Sequence, residues 1–174
     1  MQAVYDLARN IKLLIFDVDG VLTDGSLYLG DDGQEYKAFN SLDGHGMKML
    51  KNSGVELAII TGRTSKVVIH RAKNLGITHL YQGVHDKLQA FHELTEKLGI
   101  HLEQCAFMGD DVIDLPAMRR CGLAITVPQA PELVQRHAHH VTRREGGRGA
   151  AREVCELIMQ AQNTLEAQLS IYLK

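Results

Sequence analysis

Lys12-Leu13-Leu14-Ile15-Phe16-Asp17-Val18-Asp19-Gly20-Val21-Leu22-Thr23-Asp24-Gly25 is the stretch on which the reading of the chain turns. Its apolar run is short and rich in Leu, Ile and Phe, the pattern of a strand buried on both faces of a parallel sheet. The run leads into two aspartates one residue apart and then Gly20. In open α/β sheets ligands bind beyond the carboxyl ends of the strands, so Asp17 and Asp19 stand where chemistry is usually placed. Period-2 geometry points both side chains to one side. Two anions that close repel each other unless a cation joins them, and hard carboxylate oxygens suit Mg²⁺. Taken alone, D-x-D-G also fits a strand followed by an Asp-Gly turn.

Further along, the chain alternates strands and helices. Val55-Glu56-Leu57-Ala58-Ile59-Ile60 reads as a second buried strand that ends at Thr61-Gly62-Arg63. A helix follows through Val67, Val68 and Ala72 to Leu75, with a stop at Gly76. After a short strand at His79-Leu80-Tyr81-Gln82, Asp86 and Gln89 have capping-box character for a helix with Leu88, Phe91, Leu94 and Leu98 on its apolar stripe. Cys105-Ala106-Phe107-Met108-Gly109 is a third buried strand, delivering Asp110, Asp111 and Asp114. A short helix over Leu115–Cys121, a strand at Leu123–Val127, a helix opened by Pro131 at or near N1 and a short strand at His140-Val141-Thr142 complete the alternation.

Two segments stand outside this pattern. Leu27-Tyr28-Leu29, the turn Gly30-Asp31-Asp32-Gly33 and Gln34–Phe39 predict a β-hairpin over about residues 27–39, overhanging the acidic site or reaching a neighbouring subunit. Beyond it, Asp43 is expected to cap a helix carrying Met47, Met49 and Leu50 as core residues, closed by Gly54. From about Ala150, the positions Val154, Leu157, Ile158, Ala161, Leu165 and Leu169 recur at helical spacing. They predict one C-terminal helix over about 150–173, roughly 36 Å long, with a projecting end. The fold class is therefore α/β: a single doubly wound, Rossmann-like domain over 1–174, with a parallel central sheet and helices on both faces.

Composition narrows the function classes. The 174 residues are 45% hydrophobic and 23% charged, as in ordinary globular proteins, and the formal net charge of −2 offers no footprint for nucleic acid or a membrane surface. No apolar stretch approaches the roughly 20 residues of a membrane span, and the first residues lack a signal-peptide layout, so a cytoplasmic protein is expected. Cys105, Cys121 and Cys155 read as buried free thiols of a reducing compartment.

Four strand ends thus send polar groups to one sheet edge: Asp17 and Asp19, Thr61, Lys87 at a helix start, and Asp110 with Asp111. The set suits phosphoryl transfer, where catalysis is largely charge neutralisation and positioning of in-line attack. Asp17 could attack phosphorus and form an aspartyl-phosphate. Asp19 could protonate the leaving alkoxide and then deprotonate water. Lys87 and the Thr61 hydroxyl would hold phosphate oxygens, with Mg²⁺ between Asp17 and Asp110.

Asp17-Val18-Asp19-Gly20-Val21-Leu22-Thr23 resembles the first motif of the haloacid dehalogenase-like hydrolases, Thr61 the second, Lys87 the third and Gly109–Asp114 the fourth. The resemblance implies Asp17 as nucleophile and Asp19 as acid/base. It also implies a Mg²⁺ site from the Asp17 carboxylate, the Asp19 main-chain carbonyl and Asp110, with Asp111 and Asp114 near or behind the metal. Only 43 residues lie between Asp17 and Thr61, and 25 between Thr61 and Lys87, which leaves no room for a cap domain.

Thr61-Gly62-Arg63, Arg71, the Gly30–Gly33 hairpin and Gly146-Gly147-Arg148-Gly149-Ala150-Ala151-Arg152-Glu153 resemble a narrower, uncapped and homotetrameric subgroup. That subgroup acts in bacterial lipopolysaccharide synthesis. The resemblance implies 3-deoxy-D-manno-octulosonate 8-phosphate as the small-molecule sugar acid phosphate substrate. It further implies substrate contacts from Arg63 and Arg71, hairpins that pack together at the tetramer centre, and a site covered by a neighbour's C-terminal tail. Arginine suits a substrate that brings a carboxylate as well as a phosphate. The alternatives are a phosphatase of a nine-carbon sugar acid phosphate, and a receiver-like phospho-acceptor domain. Receivers place the nucleophile on a middle strand, away from the acidic pair, and lack an acid poised like Asp19.

Overall fold

A computed structural model describes residues 2–174. The chain runs α1 (Gln2–Ala8), β1 (Leu13–Phe16), β2 (Tyr28–Leu29), β3 (Glu35–Tyr36), α2 (Ser41–Asn52), β4 (Glu56–Ile60), α3 (Lys66–Leu75) and β5 (His79–Tyr81). It continues through α4 (Lys87–Leu98), β6 (Cys105–Met108), α5 (Leu115–Met118), β7 (Leu123–Thr126), α6 (Glu132–Arg136), β8 (His140–Val141), α7 (Ala150–Ala161) and α8 (Leu165–Ser170). Six strands form one parallel sheet in the order β5-β4-β1-β6-β7-β8. The doubly wound α/β expectation is borne out.

Strand order is what places the site. β1 sits between β4 and β6, with Phe16 opposite Ile59 on one side and Met108 on the other. The chain winds outward from β1 through β4 to β5, then returns to the other side through β6, β7 and β8. The carboxyl end of β1 is therefore the topological switch point, where open sheets part to leave a crevice. β1, β6 and β7 are buried along their whole length, as both-face coverage demands. On one side α2 packs against α7 and α3, and on the other α4 packs against α5.

Local caps explain the helix bounds. Asn40, not Asp43, caps α2, its Oδ1 accepting from the amides of Leu42 (2.8 Å) and Asp43 (3.2 Å). Asp43 is instead buried and caps a different helix: its carboxylate accepts from the amides of Arg152 (2.8 Å) and Gly149 (3.3 Å) at the start of α7. A carboxylate suits a helix N-terminus because the first amides there have no partner of their own. Met47, Met49 and Leu50 are buried, as expected of core residues.

The C-terminal segment differs from expectation. The single helix expected over 150–173 is two helices, broken at Gln162–Thr164. Asn163 adopts a left-handed φ of 57°, which Asn tolerates better than most residues, and the Thr164 amide bonds back to the Met159 carbonyl at 2.8 Å. Gln162 secures the break by donating Nε2 to the carbonyls of Ile11 (2.7 Å) and Ala8 (3.2 Å). The tail folds back, and the Tyr172 ring meets His45 of α2 edge-on at 5.4 Å. Among the described residues no helix is long and apolar enough to cross a membrane.

Candidate active site

Asp17 leaves β1 as the first residue of a tight loop. Its amide donates to the Met108 carbonyl at 2.9 Å, which extends the ladder one residue beyond the strand. The amides of Val21, Leu22 and Thr23 then converge on the Val18 carbonyl at 2.9–3.2 Å. The Thr23 hydroxyl ties the loop shut, accepting from the amides of Gly20 (3.3 Å) and Gly25 (3.2 Å). Gly20 has φ +91°, and a Cβ there would lie 2.0 Å from Asp110 Oδ2, so only glycine lets that carboxylate lie against the loop.

A second glycine pair braces the loop from outside. A Cβ on Gly146 would lie 1.8 Å from the Gly20 carbonyl oxygen, and the Gly147 amide donates to the Val21 carbonyl at 3.0 Å. Gly146 and Gly147 therefore brace the Asp17–Thr23 loop, which a merely flexible loop before a helix would not do. Gly146→Ala should force two backbones apart. We expect a loss of about 1–3 kcal/mol and a Tm lower by roughly 2–12 °C, with kcat/KM reduced about tenfold or more. Unchanged melting and unchanged kinetics would remove the brace from the site.

The strand β6 delivers the remaining acids. Asp114 is fully buried and accepts from the amides of Asp110 (3.0 Å) and Asp111 (3.1 Å) through Oδ2, while Lys87 Nζ donates to its Oδ1 at 2.6 Å. Both oxygens of Asp114 are thus engaged in holding the loop and the lysine. Asp111 is exposed and caps the one-turn helix Val112–Asp114 through a 2.7 Å bond from the Val112 amide. Lys87 is the first residue of α4, after the N-cap Asp86, which accepts from Leu88 and Gln89. The capping box is only half made, since Gln89 donates its side chain to Glu93 instead. Lys87 Nζ also stands 3.1 Å from Asp17 Oδ1, close enough to pair but without hydrogen-bond geometry.

Asp19 turns the other way, toward the hairpin. Its Oδ1 pairs with Lys37, whose ammonium also lies 3.0 Å from Glu35. Arg63 joins this group, 3.1 Å from Glu35 and 3.8 Å from Asp19 Oδ2. Sequence reasoning missed Glu35 and Lys37; their period-2 spacing on a hairpin expected to overhang the site was the one signal for them. Thr61 is buried at the end of β4, its amide bonded to the Tyr81 carbonyl at 2.9 Å. Arg71 is not brought to the acidic cluster: it donates to the Asn40 carbonyl at 3.0 Å and lies over the Phe39 ring.

The electrostatics mark the Asp17–Asp110–Asp114 group. One oxygen from each of the three lies within 4.8 Å of the others. Burial first, then the charge of Asp114, push Asp17 up to about 6 against the pull of Lys87. Burial and the charges of Asp17, Asp114 and Asp111 push Asp110 up to about 7. Burial works to lower Lys87, but Asp17 and Asp114 outweigh it and its pKa is raised. Asp17 Oδ1 and Asp110 Oδ1 are buried with no hydrogen-bond donor. Three clustered carboxylates thus face one ammonium, that of Lys87, and this excess of negative charge fits a hard divalent cation such as Mg²⁺. By contrast, a cleft of about 540 Å³ near Arg9, Lys12, Gly54 and Gln104, at the opposite edge of the sheet, carries no carboxylate, His or Cys.

Residues 31–122 match the model of the haloacid dehalogenase-like hydrolases. A 3-deoxy-D-manno-octulosonate 8-phosphate phosphatase of Yersinia pestis is 54% identical over 163 residues, covering 94% of this chain and 87% of that protein. The solved Moraxella catarrhalis phosphatase of the same name, in complex with magnesium, phosphate and a KDO molecule, is 49% identical. It superimposes with a TM-score of 0.97 over 99% of both chains. The cobalt-bound deoxy-D-mannose-octulosonate 8-phosphate phosphatase of Haemophilus influenzae gives a TM-score of 0.92 at 39% identity, over 97% of this chain and 99% of that one.

Proposed function

The chain belongs to the haloacid dehalogenase-like hydrolases, and from that premise we propose that it is a Mg²⁺-dependent phosphomonoesterase for 3-deoxy-D-manno-octulosonate 8-phosphate. The observation that carries the chemistry is the pair of buried, donor-less oxygens of Asp17 and Asp110 beside Lys87 at the switch point. The substrate is supported by the relatives' names and by Arg63, a half-exposed guanidinium beside Asp19 for a sugar acid's carboxylate.

In this reading Asp17 attacks phosphorus as the bond from phosphorus to the sugar oxygen breaks, and Asp19 passes its proton to that oxygen. Water, deprotonated by Asp19, then attacks the aspartyl-phosphate, and Asp17 is released with inorganic phosphate. Lys87 and Thr61 hold phosphate oxygens, while Asp114 keeps Lys87 and the Asp110 loop in place. The metal would be held by Asp17, the Asp19 main-chain carbonyl and Asp110, and would offset the charge of the phosphate.

We assign residues 1–174 to one domain without a cap, as a homotetramer in which the hairpins pack together and a neighbouring subunit covers the site. Exposed Leu27, Tyr28, Leu29 and Tyr36 on the hairpin support that assembly. The free, buried thiols of Cys105, Cys121 and Cys155 support a cytoplasmic location.

The test is phosphate release from a panel of sugar phosphates with and without Mg²⁺. A preference of about a hundredfold for the eight-carbon keto-deoxy acid, worth about 2.7 kcal/mol, is expected. A preference for the nine-carbon acid would replace the substrate, and metal-independent or absent release would overturn the chemistry.

A further inference from the structure

Four charges close a ring between the hairpin and the Asp17–Thr23 loop. Lys37 touches Asp19 and Glu35, Glu35 touches Lys37 and Arg63, and Arg63 returns to Asp19. The side chain of Lys37 is 1% exposed, against 46% for Arg63. An ammonium this deeply buried is kept only where anions repay its lost hydration, so Lys37 depends on both carboxylates. Glu35 is held as an anion: burial acts to raise its pKa, but bonds from Lys37 and Arg63 outweigh it and the result is lowered. Asp19 Oδ1 pairs with Lys37 of the hairpin, while the nearest Arg63 nitrogen stays 3.8 Å from Oδ2, beyond hydrogen-bond distance, so Oδ2 is the oxygen open to carry the transferable proton.

We propose that Lys37, with Glu35 as its second counter-ion, is a positioning residue that sets the orientation of the Asp19 carboxylate for proton transfer. The proposal rests on the phosphatase reading above, in which Asp19 is the acid/base. A carboxyl group turns easily about its terminal torsion, and a general acid must lie within about 2.6–3.2 Å of the oxygen it protonates. Arg63 is half exposed and long, so it cannot define that torsion alone. Lys37 comes from the hairpin rather than the central sheet, so its ion pair ties the acid/base to the hairpin. In the step concerned, the sugar C8 oxygen takes the bonding pair as its bond to phosphorus breaks, the Asp17 oxygen forms the new bond, and the Asp19 proton ends on the C8 oxygen.

The readout is kcat/KM, which reports events through the first irreversible step, on two probes. 3-Deoxy-D-manno-octulosonate 8-phosphate has an alkoxide leaving group that needs the proton. p-Nitrophenyl phosphate has a phenolate that leaves without one. Lys37→Met is expected to lower kcat/KM about 30-fold or more on the sugar phosphate and less than about threefold on the aryl phosphate, within the range general acid catalysis supplies. Lys37→Arg should restore most of the loss, and Lys37→Met should add nothing in an Asp19→Asn background. Equal losses on both probes, additivity with Asp19→Asn, or full activity of Lys37→Met would overturn the proposal. Should Lys37→Met fail to melt cooperatively, Glu35→Gln carries the same test: a loss confined to the sugar phosphate supports the proposal, and equal losses overturn it. A wild-type protein with no Mg²⁺-dependent release from either probe would instead overturn the phosphatase reading.

Discussion

Asp17→Asn should abolish turnover, lowering kcat by about ten-thousandfold or more, because an amide oxygen cannot serve as the phosphoryl acceptor. The fold should survive. Burial and Asp114 raise the Asp17 pKa to about 6, so above that pH its ionised form weakens the folded state. A neutral amide of the same shape removes that burden, while Lys87 keeps Asp114 as a partner 2.6 Å away. Thermal melting in chelator at pH 8 should therefore show a Tm equal to or above wild type, and the rise in Tm on adding Mg²⁺ should shrink with the loss of a ligand. Retention of more than about 1% of activity would end the nucleophile assignment; a collapsed Tm would recast Asp17 as a structural residue.

Lys87→Met should have the largest effect on stability. Lys87 is the only cation within pairing distance of Asp17 or Asp114 among the described residues. Removing one partner of a buried pair costs about 3–5 kcal/mol, which for a chain of this size corresponds to a Tm lower by roughly 6–20 °C. The sign of the pH dependence is set by the acids left behind. The folded-state pKa values of Asp17 and Asp110 are raised to about 6 and about 7, above their unfolded value of 3.8. The folded protein therefore holds protons between about pH 4 and 7 that the unfolded chain has lost, and the destabilisation from these groups grows as pH rises through that window. In Lys87→Met nothing offsets it, so the Tm deficit should be small near pH 5, widen toward pH 8, and be partly recovered by Mg²⁺. A deficit that is small and unchanging from pH 5 to 8 would show that Lys87 does not balance these carboxylates.

Much of the fold and the site is legible along the chain. The strands Leu13–Phe16, Glu56–Ile60 and Cys105–Met108 are apolar but for Glu56; Asp17 and Thr61 follow their strands directly, and Asp110 comes one residue later, after Gly109. The end of a strand and the identity of the next residue are local information. The doubly wound fold is therefore readable from the alternation of segments, and the family resemblance from the motifs at their ends. Arg71 shows the limit. The resemblance implies a substrate contact from it, whereas where its guanidinium lies, donating to the Asn40 carbonyl and over the Phe39 ring, depends on how α2 and α3 pack. Asp43 shows the same: an acid in the first turn of α2 fits a cap by its local pattern, yet its partners are amides more than a hundred residues away.

The C-terminal break was hidden for a different reason. Leu165 follows Ala161 by four residues and Leu169 follows Leu165 by four, so the apolar phase continues unbroken across Gln162–Thr164. Only the carbonyls of Ala8 and Ile11, brought alongside by the packing of α1, reveal why the helix stops. Backbone periodicity, which needs no reference to distant residues, is enough to say which acids reach the switch-point edge. Tertiary packing was needed to select which oxygens remain without donors, which lysine faces which aspartate, and which glycines brace the loop. Those outcomes depend on side-chain torsions and on contacts between segments far apart in the chain, and neither leaves a period in the sequence.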